Sequence, residues 1–240
     1  MKLRVRYTKL GKIRFTSHRD TAHHWERAVR KAEVKLAYSG GFTPRPKMSF
    51  GLALPTGAES LAEYLDIELA EGGVAEPAEL AVRLAAGLPV GYSVDRMGVC
   101  EAGSASLQED VVACRWQLAL VGVDAAQALA AAERTLAAAE LPIERERKGQ
   151  RSTDDVRGAI ETLSVTSVAD DPRPQLCAVL ATSGRGLRPT ELVGAMFPTL
   201  DPVDATGRVL RTHQWIERDG MRQEPLPAAS VATRAPVGCG

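Results

Sequence analysis

Lys2-Leu-Arg-Val-Arg-Tyr-Thr-Lys9 alternates charge with apolar bulk, so Leu3, Val5 and Tyr7 fall on one face and Arg4 and Arg6 on the other. A period of two is the signature of a half-buried strand. Outward from it, Gly11 marks a turn and Ile13–Phe15 predicts a short further strand. Ser17 and Asp20 supply caps for a helix over residues 19–32, with Ala22, Trp25, Val29 and Ala32 as its apolar line and Arg19, His23, Arg27, Arg30 and Lys31 opposite. Strands follow at Val34–Tyr38, Lys47–Leu54 and Ala62–Leu69, then a helix from Pro77 to about Ala86 and a strand over Tyr92–Cys100. The order β-α-β-β-β-α-β is a ferredoxin-like plan with one added strand.

The second half repeats the order. Val111–Val121 predicts a strand, Asp124 caps an Ala-rich helix to about Glu140, and Pro142–Arg147 a short strand before the polar loop Lys148–Arg157. Strands at Ala159–Val168 and Gln175–Thr182, a helix at Pro189–Phe197 and a strand at Arg208–Glu217 complete it. The fold class expected is therefore α+β, two tandem ferredoxin-like (RRM-like) domains with mainly antiparallel sheets. Residues 1–102 form the basic first domain, 109–218 the second, and the Gly, Ser and Ala of 102–108 a linker. The Pro- and Ala-rich residues 222–240 predict a disordered tail.

Charge is segregated along this chain. The first fifty residues hold thirteen Lys or Arg against three acids, a net +10; the whole chain holds 30 of each sign, so residues 51–240 carry −10. Such a block attracts polyanions. It also holds Tyr7, Phe15, Trp25, Tyr38, Phe42 and Phe50, six of eleven aromatics, and cations among aromatics serve phosphate attraction and base stacking. Ser39-Gly-Gly-Phe-Thr-Pro-Arg-Pro-Lys47 is the most unusual stretch. Gly40 and Gly41 permit close backbone approach, while Pro44 and Pro46 stiffen the presentation of Arg45 and Lys47 beside Phe42. Arg145–Arg157 places Gly149 among Lys148, Arg151 and other cations, partly offset by acids.

Other chemistry finds less support. Cys100, Cys114, Cys177 and Cys239 include no close pair, against a metal knuckle, a redox pair or a disulfide. His23 and His24 point about 100° apart on a helix and do not converge on one metal. Asp66 and Glu68 share a strand face, which reads as a solvated one. No stretch approaches the roughly 18 apolar residues of a membrane span, and the N-terminus lacks an apolar signal core; the expected location is cytoplasmic, with no membrane partner, cofactor, metal or catalytic residue.

Three motifs together resemble a known family. These are Lys9-Leu-Gly-Lys-Ile-Arg-Phe-Thr-Ser-His-Arg-Asp20, Tyr38-Ser-Gly-Gly-Phe-Thr-Pro-Arg-Pro-Lys-Met-Ser-Phe-Gly-Leu-Ala-Leu-Pro-Thr-Gly57 and Glu63-Tyr-Leu-Asp-Ile-Glu-Leu69. The chain is similar to the radical SAM-associated (radical SAM-linked) proteins, a domain of unknown function that in other members is fused behind a radical SAM enzyme. The resemblance covers most of residues 1–217, and Arg145–Arg157 is similar to a weaker motif of the family. Members encoded near ribonuclease and ribosomal-protein genes imply RNA or ribosome work. The chain has no C-x-x-x-C-x-x-C, so it cannot itself hold the radical SAM cluster.

The resulting expectation is an RNA-binding or RNA-presenting module for structured tRNA or rRNA, acting with a separate radical SAM enzyme, ribonuclease or ribosome. Arg4, Arg6, Lys12, Arg14 and Arg19 would contact phosphates; Phe42, Arg45 and Lys47 a base or bend; Lys148 and Arg151 a second surface. The alternatives are a nucleotide-directed enzyme using His18 with a carboxylate such as Asp66, and a protein-only adaptor for an acidic partner.

Overall fold

β1 (Lys2–Lys9) forms where the alternation predicts it, with Leu3, Val5 and Tyr7 almost fully buried. The protein is described from a computed structural model, at every residue except 73–75, 102, 148, 170, 185 and 233–240. It is a mixed α+β structure with mostly antiparallel pairing. The chain divides into two units, Met1–Val111 with Gln214–Gly240, and Val112–His213.

In the first unit, a 3-10 turn over Gly11–Phe15 replaces the expected second strand; Gly11 sits at φ +71°, which bends the chain out of an extended path. α1 (His18–Lys31) begins at Ser17, whose hydroxyl accepts from the Asp20 amide at 3.1 Å. Trp25, Ala28 and Val29 form its buried stripe. The strand expected at 34–38 reduces to two isolated bridges, Leu36 with Leu69 and Tyr38 with Pro46. β2 (Met48–Phe50), β3 (Glu59–Glu68), α2 (Pro77–Ala85) and β4 (Tyr92–Val99) follow. The strand order is β4-β1-β3-β2, antiparallel throughout. Trp25 and Val29 of α1 and Leu80 and Leu84 of α2 bury against Leu3, Val5, Leu65 and Ile67, so both helices cover one face of this sheet. The short α3 (Leu107–Asp110) ends the segment.

The second unit contains β5 (Val111–Leu120), α4 (Ala125–Ala137), β6 (Pro142–Arg147), β7 (Gln150–Asp155), β8 (Ile160–Val168), β9 (Asp171–Ala181), α5 (Pro189–Met196) and the first part of β10 (Thr206–Arg218). Its strand order is β10-β5-β9-β8, with β6 and β7 as a separate hairpin. Asp124 and Gln127 close a reciprocal capping box on α4. The polar loop expected at 148–157 is mostly strand: residues 150–155 pair with β6 in an unbroken antiparallel register.

The tail expectation fails for the residues described. The unit boundary falls inside β10, and the chain after Gln214 belongs to the first unit. β11 (Met221–Gln223) pairs with β10, and β12 (Val231–Ala232) pairs with β4. Leu226 packs on Ala62, Tyr64 and Leu107. A Pro- and Ala-rich composition reads as disorder only when no apolar surface awaits it, and here one does. Residues 233–240 lie outside the described residues.

Candidate functional site

The outer face of β1 is not the wet basic surface that its alternation implies. Arg4 is 5 % exposed. Its Nε and Nη2 donate to the two Asp66 carboxylate oxygens at 2.7 and 2.8 Å, and Nη1 donates to the Pro225 carbonyl at 3.1 Å. Arg6 is half-buried between Asp95 at 2.7 Å and Glu224 at 3.3 Å. Between these pairs Tyr64 is buried, and burial pushes its phenol pKa far up, so the group stays neutral. Arg4 and Arg6 therefore hold the C-terminal segment on the sheet and present no free charge to phosphate.

The enzymatic pairing is also separated. Strand parity puts Leu65 and Ile67 in the helix-side core and Asp66 on the opposite face, under Arg4. His18 is exposed on the first turn of α1, its ring edge-on to Phe50 at 5.4 Å. A sheet thus stands between the two. His23 Nδ1 lies 3.2 Å from Glu26, and His24 packs edge-on to Tyr92 with its pKa lowered by burial and by Arg27. Among the described residues no group of three His, Cys, Asp or Glu is placed to hold a metal.

What does converge lies on the helix side. Arg19, His23, Glu26 and Arg30 follow at spacings of 4, 3 and 4 along α1, one stripe of the helix. Beside them the segment 36–47 folds back on itself: Ser39 donates its amide to the Arg45 carbonyl at 2.9 Å, Arg45 donates its amide to Ser39 Oγ at 3.0 Å, and Lys47 donates its amide to Ala37 at 2.8 Å. Gly41, at φ +113°, makes the reversal. Helix and loop enclose a cleft of about 750 Å³, floored by Val29, Val34 and Leu36 and rimmed by Arg19, Arg30, Arg45 and Tyr38. All three arginines are exposed, and among the described residues none has a carboxylate within ion-pair range.

The other expected contacts divide. Phe42 is fully exposed at the loop tip, and Lys12 is exposed on the 3-10 turn. Arg14 lies over the Phe15 ring at 4.5 Å and 3.8 Å from Glu59. Lys47 pairs with Glu68 at 3.1 Å and Arg151 with Glu146 at 3.6 Å, both on the surface, where such pairs are weak and readily exchanged. Lys148 lies outside the described residues. In the β6–β7 hairpin Arg145 is neutralised by Asp154 at 3.1 Å and Glu191 at 2.8 Å. Sequence reasoning missed Arg30 and Tyr38 as site residues. The signal for Arg30 was present, since eleven residues is three helical turns from Arg19; Tyr38 is placed by its bridge to Pro46, which no local pattern encodes.

No helix among the described residues is long and apolar enough to cross a membrane. A family model described as "Uncharacterized protein conserved in bacteria (DUF2344)" matches residues 2–189, and the chain belongs to that family. That description names no radical SAM enzyme. No curated protein matches the chain. Among solved structures it is similar to a chain of the "Crystal Structure of a Cbf5-Nop10-Gar1 Complex", with 8% identity and a TM-score of 0.48 over 88% of this chain. The match spans 48% of that chain, about half its length.

Proposed function

We propose that this member of the DUF2344 family is an RNA-binding module that holds structured tRNA or rRNA for a separate radical SAM or RNA-processing enzyme in the cytoplasm. The observation that supports it most is the cleft beside α1, where Arg19, Arg30 and Arg45 stand exposed and unpaired among the described residues. Three cations from two elements give a phosphate backbone a fixed direction, which a scattered basic surface does not. The strand orders β4-β1-β3-β2 and β10-β5-β9-β8 support reading the two units as ferredoxin-like. In the first unit the sheet face usual for RNA in RRM domains is occupied by the chain's own residues 224–226. The helix side is therefore the binding side.

The test is affinity for a structured RNA as a function of salt. Three phosphate contacts give a log–log slope of about −2 or steeper, and Arg45→Ala, Arg19→Ala and Arg30→Ala should each flatten it by about one. A flat salt dependence, or wild-type slopes in all three variants, would overturn the proposal. Selective capture of an acidic protein with no RNA affinity would favour the adaptor reading instead.

A further inference from the structure

We infer that the α1 cleft takes one unpaired nucleotide of the bound RNA, with its base in the apolar slot against Tyr38 and its flanking phosphates on Arg19, Arg30 and Arg45; this rests on the RNA-binding reading above. A site for backbone alone would need only the cationic rim. Here the rim surrounds an apolar floor: Val29 is 3% and Leu36 8% exposed, while Tyr38 at the mouth is 59% exposed. An exposed aromatic wall over a greasy floor is suited to the flat face of a base. The volume, about 750 Å³, lies within the roughly 300–1,000 Å³ range of small-molecule sites. That is room for a nucleotide and not for the width of a duplex.

The slot is also rigid before binding. Ala37 donates its amide to the Glu68 carbonyl at 2.9 Å, Val34 to Val29 at 3.1 Å, and Lys47 to Ala37 at 2.8 Å, while bridges tie Leu36 to Leu69 and Tyr38 to Pro46. The backbone that carries Tyr38 is thus tied to β3 and to residues 46–47, which lowers the ordering cost of binding. Glu26, the acid on the rim, lies 3.2 Å from His23 Nδ1.

The experiment uses the full chain and two RNA stem-loops of equal length, one fully paired in its stem and one carrying a single bulged nucleotide, titrated by fluorescence anisotropy. The bulged RNA should bind at least about ten-fold tighter. Tyr38→Ala should cost it about five- to a hundred-fold, the range of a lost base–aromatic stack, with less than about two-fold effect on the paired stem; Tyr38→Phe should restore the wild-type value. Melting curves verify the variants' fold, which an exposed side chain barely influences. A 5′-mononucleotide that competes equally well on a per-molecule basis would show a free-nucleotide site and overturn the inference. Equal affinity for both stems, with Arg45→Ala weakening each, would refute the slot and leave RNA binding standing. Failure of either RNA to bind would refute both.

Discussion

Arg4→Met separates the two faces of the first unit. The change leaves the Asp66 carboxylate, 4 % exposed as a residue, without the two charge-assisted hydrogen bonds at 2.7 and 2.8 Å that Arg4 supplies. Lys2, 3.7 Å away and itself partly exposed, compensates in part. Removing one partner of a buried pair costs about 3–5 kcal/mol, and the Pro225 carbonyl also loses its donor. At about 2–4 °C per kcal/mol for a chain of this size, the melting temperature should fall by roughly 6–20 °C. Arg4→Met with Asp66→Leu should recover most of that, because no buried charge is left alone. Arg45→Ala, on an exposed loop, should stay within about 0.5 kcal/mol of wild type yet lose RNA affinity. Thermal melts by circular dichroism and RNA titration well below the lowest midpoint measure both. If Arg4→Met melts with the wild type and loses RNA affinity as Arg45→Ala does, the sheet face is a binding surface and the assignment is wrong.

Truncation after Gly220 removes the Glu224, Pro225 and Leu226 contacts and the β12–β4 pairing; it should lower the melting temperature, and an unchanged midpoint would show residues 221–240 to be dispensable. Gly91→Ala should cost at least about 2 kcal/mol, since φ is +102° and a Cβ would stand 2.6 Å from the Leu10 carbonyl oxygen; chemical denaturation gives the value. His24 has a pKa lowered from 6.5, first by burial and then by Arg27, so the fold favours the neutral ring. Above pH 6.5 that preference costs nothing; as pH falls below it, the unfolded chain gains the proton first and stability is lost until the folded ring protonates too. The urea midpoint should therefore drop between about pH 7.5 and 5.5 in the wild type and less in His24→Gln; equal drops would remove His24 as the cause.

Much of the architecture was legible because its signals are local. The alternation of residues 2–9, the Ser17 cap, Pro77 and Pro189 at helix starts, and the Asp124–Gln127 box each encode an element within a few residues. The errors fall where pairing is nonlocal. Residues 34–38 have strand composition but make only bridges, whereas the charged residues 150–155 form a strand because β6 lies across a tight Gly149 turn. Disorder was the wrong expectation for 222–232 for the same reason.

The charge count stands, but Arg4 and Arg6 are not among the charges free to meet phosphate. An alternating strand says which side chains share a face; it does not say whether water reaches that face. The covering group for Arg4 is the carbonyl of Pro225, 221 positions away, and Arg6 is neutralised by Asp95 and Glu224. Nothing near residues 4–6 foretells them. Of the basic block, the charges left open to a polyanion are those whose acidic neighbours are too far, too few or too exposed to claim them, and among the described residues around the cleft Arg19, Arg30 and Arg45 are of this kind. In the loop the amides of Ser39, Arg45 and Lys47 make the hydrogen bonds that close the segment, and the Arg45 guanidinium takes no part in them. Where the backbone supplies the structure, the guanidinium is free for a ligand; where the guanidinium supplies it, as at Arg4, the charge is already used.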